Sequence, residues 1–349
     1  MTRVFVVDDS AVVRQTMAAL LQGDPAIELV GSAPNPLIAA PLIRKQRPDV
    51  LLLDIEMPGM DGLTFLRQQM AEAPIATVIC SSLSTEGSRI ALDALAAGAV
   101  AVVAKPRLGL RQFLEDSRRE LISTLKAAAM SRPRLLVKVP SQPPAAARQT
   151  AAPGLHALSV NKPIVIGSST GGTQAIEQIL RALPADAPGM AIVQHMPERF
   201  TAMYAQRLDS LCAMRVKEAC DGDRLERGVV LIAPGGKHMK LRMAGGQYFA
   251  VVLDGPPVNR HKPSVDVLFR SLAEHTNGDA LAIMLTGMGD DGARGMKQLH
   301  ELGVRTLAQD EASCVVFGMP MEAIKLGAVD EVLPLDAMAE AVTRFDARG

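Results

Sequence analysis

Residues 50–62 read VLLLDIEMPGMDG: a short apolar run, an aspartate, then a loop punctuated by proline and glycine. An apolar run of that length bounded by turn residues fits a strand buried on both faces. The same unit recurs around it. VFVV (4–7), IELV (27–30), TVIC (77–80) and VAVVA (100–104) are similar runs, rich in Val and Ile. Helical patterns fall between them at 11–22, 37–46, 62–70, 86–97 and 111–126, and Gly98 is placed to stop the fourth. Five strand-helix units predict a doubly wound, parallel α/β domain.

Past residue 160 the style repeats. IVI (164–166), AIV (191–193), VVLIA (229–233) and LAIML (281–285) predict buried strands. Ile176, Ile179, Leu180 and Leu183 give 173–183 one apolar helical stripe. The second domain is thus also expected to be a Rossmann-like parallel α/β sheet. Residues 238–253 alternate around Gly245-Gly246, which predicts a β-hairpin appended to that main sheet. Between the halves, residues 127–160 hold five prolines, nine alanines, four basic residues and no acidic one. That composition predicts a Pro/Ala-rich linker over 127–158, with domains at 1–126 and 159–349.

Composition excludes several classes. The chain has 349 residues, with 37 Lys+Arg against 37 Asp+Glu, so it carries no global basic field for nucleic acid. Aromatics make up 3% with no Trp, which argues against base-stacking platforms. The four cysteines include no Cys-x-x-Cys pair, so a zinc ribbon or a thioredoxin-type site is not expected. No signal-peptide core or membrane-spanning apolar run is evident, so a cytoplasmic protein without membrane insertion is the expectation.

Polar residues follow the predicted strands. In the first domain these are Asp8 and Asp9, Asp54, Ser81 and Lys105. Ligands of open parallel sheets bind beyond the carboxyl ends of the strands. Three carboxylates there suit Mg²⁺, and a carboxylate is a competent phosphoryl acceptor. Singly, an Asp after a strand is usually a cap or turn residue; the combination is harder to dismiss. In this combination VVDDS (6–10), LLLDIEMPGMDG (51–62), CSSLS (80–84) and AKP (104–106) resemble the receiver domain of two-component response regulators. The resemblance implies Asp54 as phosphoacceptor and Ser81 and Lys105 as the switch hydroxyl and lysine. It implies Mg²⁺ held by Asp8, Asp9, Asp54 and the carbonyl of Glu56, and a cis Lys105–Pro106 bond. Val102 stands where receivers often carry an aromatic ring.

PIVIGSSTGG (163–172) admits three readings: a plain tight turn, a phosphate cradle, or a nucleophile turn of the G-x-S-x-G kind. The cradle lacks its partners, since no G-K-[ST] follows and the next strand ends in Gln194-His195 rather than an acid. A third strand ends in TGMGDDGA (286–293). One of Ser168 or Ser169, His195, and one of Asp290 or Asp291 could meet along one rim as a nucleophile, base and orienting carboxylate. His156, His238, His261, His275 and His300 have no comparable setting and read as surface or structural.

IGSSTGG (166–172), QHMPERFT (194–201), EACDGD (218–223), IAPGGKH (232–238), HKPSVDVLF (261–269) and TGMGDDGA (286–293) resemble the catalytic domain of chemotaxis protein-glutamate methylesterases, the CheB family. The resemblance implies Ser169 as nucleophile, His195 as general base and Asp291 as orienting carboxylate. Thr170 and Met288 would lie beside them, with no cofactor at the esterase site. It further implies a histidine kinase as phosphodonor and the cytoplasmic helices of methyl-accepting chemoreceptors as substrate. The reactions implied are glutamate methyl ester hydrolysis and glutamine deamidation.

Overall fold

The computed structural model describes residues 1–57, 61–82, 84–105, 111–131 and 162–347. They divide into two compact units, within 1–139 and 140–349. The predicted linker lies outside the described residues beyond 131, and so does Pro106 of the expected cis bond.

In the first unit strands and helices alternate: β1 (Thr2–Val7), α1 (Ala11–Leu21), β2 (Ile27–Ala33), α2 (Pro36–Gln46), β3 (Val50–Asp54), α3 (Gly62–Glu72), β4 (Ala76–Ser81), α4 (Thr85–Ala96), β5 (Ala101–Ala104) and α5 (Arg111–Met130). Helix α5 continues past the boundary expected at 126, so 127–130 are helical rather than linker. The sheet is parallel in the order β2-β1-β3-β4-β5. Every residue of β3 and β4 is buried, which is why those runs are apolar without alternation. Ser10, Asn35, Asp61 and Ser84 start their helices, each accepting a first-turn backbone N–H on its side-chain oxygen. Gly98 sits at φ +104 just past α4, the left-handed stop its position predicts. The strand order reverses between β1 and β3, which opens a crevice between their carboxyl ends.

The second unit contains β6 (Ile164–Ser168), α6 (Gly172–Ala182), β7 (Met190–Gln194), α7 (Phe200–Leu211), β8 (Arg215–Glu218), β9 (Arg224–Leu225), β10 (Val229–Ile232), β11 (His238–Ala244), β12 (Gln247–Leu253), α8 (Val265–Ala273), β13 (Leu281–Met284), α9 (Ala293–Glu301), β14 (Arg305–Gln309), α10 (Met319–Lys325), β15 (Glu331–Leu333) and α11 (Met338–Asp346). Its main sheet is parallel, ordered β15-β14-β13-β6-β7-β10-β8. Without the edge strand β8 this is the order of a Rossmann sheet. The predicted hairpin forms as β11 and β12, turning at Gly245-Gly246 with φ +56 and +74. It is not hydrogen-bonded to the main sheet as expected. It pairs with β9 in a separate three-stranded antiparallel sheet. The reason is its apolar face: Met239, Leu241, Tyr248 and Ala250 are buried in one cluster with Leu268, Phe269 and Leu272 of α8. Burying such side chains contributes about 1.5–3 kcal/mol each. The Ser271 hydroxyl also accepts the Leu241 N–H at 2.8 Å.

Among the described residues no helix is long and apolar enough to cross a membrane. One close approach gives a direct test of the first unit. A Cβ on Gly62 would lie 2.2 Å from the Asp54 carbonyl oxygen and 2.7 Å from the Ile55 Cα, both backbone atoms. Gly62→Ala should therefore destabilise this unit by about 1–3 kcal/mol, read by urea denaturation. A change below about 0.5 kcal/mol would contradict the packing.

Candidate active site

In the second unit β6 lies between β13 and β7, and the strand order reverses between β6 and β13. A crevice is expected at such a reversal. Ser168 pairs with Gln194 in register, so Ser169 and His195 follow on adjacent strand ends. The His195 amide donates to the Ser168 carbonyl at 3.1 Å, and the Ser169 amide donates to the Thr286 carbonyl beyond β13 at 3.0 Å. The three candidate loops therefore meet at one edge.

The two ambiguous pairs separate by environment. Ser168 is buried, and its hydroxyl donates to Gln194 Oε1 at 2.7 Å. Ser169 is only half-buried. Asp290 is exposed, with the Arg260 guanidinium 3.9 Å away. Asp291 is 1% exposed, and its Oδ2 lies 2.8 Å from His195 Nε2. The same Oδ2 accepts the Val265 amide at 2.7 Å. Oδ1 accepts the Ser264 hydroxyl at 2.7 Å, the Asn259 amide at 2.8 Å and the Asp266 amide at 3.3 Å. The carboxylate thus sits on the N-terminus of α8, where the helix dipole favours negative charge. Burial alone would raise the Asp291 pKa. Hydrogen bonds from His195, Asn259 and Ser264, with the charge of His195, outweigh it and hold the carboxyl well below the usual range.

The other ring nitrogen of His195, Nδ1, is buried and has no hydrogen-bond partner. The Ser169 hydroxyl is not bonded to it here. Thr170 is half-buried in the turn before α6, and its carbonyl accepts the Thr286 hydroxyl at 2.9 Å. Gly171 opens α6 at φ +81, a conformation that L side chains rarely adopt. Met288 is half-buried in the loop after β13.

The first unit gathers its own set. Oxygens of Asp8, Asp9 and Asp54 lie within 4.8 Å of one another. Asp54 is 0% exposed and Asp8 2% exposed. Lys105 Nζ donates to Asp54 Oδ2 at 2.7 Å and lies 3.4 Å from Asp8 Oδ2. Asp8 Oδ2 is buried with no partner in hydrogen-bond geometry and only the Lys105 ammonium, at 3.4 Å, beside it. The three carboxylates offer hard oxygens, a donor set that fits Mg²⁺. Burial pushes the Asp8 carboxyl up, against the pull of Lys105. Burial would lower Lys105, but the hydrogen bond and charge of Asp54 hold its pKa above the ordinary value. Ser81 is buried at the end of β4, and its hydroxyl donates to the Ser82 carbonyl at 3.1 Å. The Glu56 amide donates to Asp54 Oδ1 at 2.9 Å. Its carboxylate accepts the Ser82 amide at 3.2 Å and the Ser84 hydroxyl at 3.3 Å, a contact the sequence reading did not foresee.

The largest omission of the sequence reading is His261. Taken there as surface or structural, it stacks on His195 with ring centroids 3.7 Å apart and planes 8° apart. A tight turn delivers it. Val258 and His261 exchange backbone hydrogen bonds, and Asn259 and Arg260 between them stand at φ +50 and +71. Two adjacent non-glycine residues in that region are strained, and strain of this kind gathers at functional sites. The Asn259 amide also spans the carboxylates of Asp291 and Asp266 at 2.8 and 2.7 Å. No strand precedes His261, so strand-end logic passed it over; its membership in HKPSVDVLF was the available signal. His238, by contrast, is buried with Nε2 3.0 Å from the Pro256 carbonyl oxygen, a structural setting. His156 lies outside the described residues.

Burial pushes the His261 imidazole down to about 3 from an ordinary 6.5, and the charge of His195 adds to this. The folded protein thus keeps this ring neutral where an unfolded chain takes up a proton. Its contribution to stability is complete above 6.5 and is lost as pH falls toward about 3. His261→Phe keeps a ring on His195 and removes the proton site. Thermal melts of the full chain between about pH 7.5 and 5 should show a weaker pH dependence for the variant. Equal dependence would contradict the assignment.

Comparison with known proteins finds a family match for each of the two units. The family profile described as CheB methylesterase matches residues 164–342, and that described as response regulator receiver domain matches residues 4–115. A protein-glutamate methylesterase/protein-glutamine glutaminase of Xanthomonas campestris pv. campestris is 55% identical over 350 residues, covering 97% of this chain and 99% of the relative. A protein of the same description from Anaeromyxobacter dehalogenans is 55% identical over 348 residues, covering 98% and 96%. The solved CheB methylesterase catalytic domain of Thermotoga maritima aligns at 39% identity with a TM-score of 0.52, over 53% of this chain and 98% of that one. With two-unit architecture and near full-length coverage in agreement, the chain belongs to the CheB methylesterase family, in the form that carries a receiver domain ahead of the catalytic one.

Proposed function

We propose that this protein is a phosphorylation-regulated esterase acting on γ-glutamyl methyl esters of chemoreceptor cytoplasmic helices, and that it deamidates glutamine by the same route. The observation that carries this reading is the 2.8 Å contact between His195 Nε2 and Asp291 Oδ2, formed at the sheet edge where Ser169 emerges. The description of the relatives as methylesterases and glutaminases supports the substrate class.

In this reading Ser169 is the nucleophile, His195 the base and Asp291 the group that orients it. Because Nε2 is engaged by Asp291, the buried Nδ1 is the nitrogen left to take the serine proton. Catalytic hydrogen bonds often close only around bound substrate, so an open Ser169–His195 limb is compatible with the role. The Ser169 oxygen attacks the ester carbonyl, and the tetrahedral oxyanion is met by backbone N–H groups at the start of α6. His195 returns the proton to the departing methoxide, giving methanol, or to the departing amide nitrogen, giving ammonia. Water, deprotonated by His195, then hydrolyses the glutamyl ester on Ser169 and leaves free glutamate. Thr170 and Met288 flank the reacting groups. The reaction uses no cofactor at this site.

Control falls to the receiver. Asp54 accepts a phosphoryl group from a histidine kinase, and Asp8, Asp9, Asp54 and the Glu56 carbonyl hold Mg²⁺. When bound, the ion neutralises charge on the phosphoryl oxygens. Lys105, now on Asp54, turns to the phosphoryl group, as does the Ser81 hydroxyl. We assign the receiver to 1–130, closing with α5, and the catalytic domain to 159–349, with the linker between them. The kinase and the receptor helices place the protein in the cytoplasm.

The test is methanol release from a methylated receptor fragment, with and without a small acyl phosphate and Mg²⁺. Ser169→Ala should lower release by at least about a thousand-fold while still taking up phosphate at Asp54. Asp54→Asn should lose the response to the phosphodonor. Near-normal release by Ser169→Ala would refute the nucleophile assignment.

A further inference from the structure

We infer that Gln194 is a positioning residue of the esterase site, whose side-chain amide fixes the peptide groups following both Ser169 and His195 and thereby directs the Thr170 N–H toward the reacting carbonyl. This inference rests on the function proposed above and assigns part of its machinery to a residue that is neither nucleophile, base nor orienting acid.

Gln194 is the last residue of β7 and is 4% exposed. Both ends of its amide are engaged. Nε2 donates to the Ser169 carbonyl at 2.9 Å and to the His195 carbonyl at 3.0 Å. Oε1 accepts the Ser168 hydroxyl at 2.7 Å. Two carbonyl partners require the NH₂ end, so the orientation of the amide is determined by its neighbours. The first turn of α6 presses on the group: a Cβ on Gly172 would lie 2.2 Å from Gln194 Oε1 and 2.7 Å from Ser168 Oγ.

The need for such a group follows from the sheet. The bond from the His195 amide to the Ser168 carbonyl closes the ladder between β6 and β7. Beyond it the strands part toward their separate loops, and the next two carbonyls have no strand partner. Gln194 bridges both. In a planar trans peptide the C=O and N–H point in opposite directions. With the Ser169 carbonyl turned to Gln194 Nε2 and to the Gly172 amide at 2.8 Å, the Thr170 N–H points away from them. Among the described residues that N–H donates to no protein acceptor, so it is available to an oxyanion.

The experiment uses the full chain, a methylated receptor fragment, a small acyl phosphate and Mg²⁺. Gln194→Glu keeps the shape and turns an acceptor toward two carbonyls. Gln194→Met keeps the volume and removes both donors. Each should lower kcat about 100-fold with KM changed less than about two-fold, the signature of a misplaced transition-state donor. Ser168→Ala, which frees only Oε1, should lower kcat by roughly ten-fold with KM unchanged. An organophosphonate that esterifies Ser169 separates the two levels of inference. If wild type is labelled at Ser169 and releases methanol, but the folded Gln194 variants keep wild-type kcat or change KM alone, the role of Gln194 is overturned and the esterase reading stands. If wild type is neither labelled nor active, the esterase reading itself fails. Should neither Gln194 variant fold, Ser168→Ala decides: an undiminished kcat overturns the inference.

Discussion

A carboxylate held inside a protein must be met by donors or give up its charge, and Asp291 is where this chain answers that constraint. Its two oxygens receive the start of α8 through the Val265 and Asp266 amides, the Ser264 hydroxyl, the Asn259 amide and His195 Nε2. Each donor in turn locates something else. The helix carries Leu268 and Phe269 into the core beneath the hairpin. Asn259 belongs to the strained turn that lays His261 on His195. His195 has one ring nitrogen committed to Asp291 and the other buried without a hydrogen bond. One buried charge therefore organises a helix start, a turn and the orientation of the His195 ring.

The receiver applies the same physics at smaller scale. Asp54 is buried, and its charge is answered by the Lys105 ammonium and the Glu56 amide. Asp8 is less closely answered, with the same ammonium 3.4 Å from its Oδ2. Glu56, whose amide donates to Asp54, reaches with its carboxylate to the start of α4, where Ser84 caps the helix.

Much of the fold was legible because central parallel strands are buried on both faces, so their apolar runs stand out without alternation. β3, β4, β6, β7 and β13 are fully buried runs of this kind. Short or half-exposed strands such as β8, β9 and β15 carry no such signal, and in the mostly buried β14 Arg305, Thr306 and Gln309 break the apolar run. The hairpin was legible by its glycine pair and alternation, but its attachment was not. Alternation says that one face is buried, not which surface buries it, and here α8 does.

The site divides along the same line. Residues that end a buried strand or follow it, such as Ser169, His195, Asp54 and Lys105, can be found from the chain alone, because topology brings strand ends together. The choice between Ser168 and Ser169, or Asp290 and Asp291, depends on which side chain turns inward. Only packing decides that: Ser168 is held by Gln194, and Asp290 faces solvent beside Arg260. His261 and Gln194 were invisible for a related reason. One arrives on a turn with left-handed backbone, and the other acts through carbonyls that every residue possesses. Local order along the chain determined the two sheets and the residues on their edges. Three-dimensional contact alone determined which of those residues share a hydrogen bond, because burial and orientation belong to the neighbours that folding supplies.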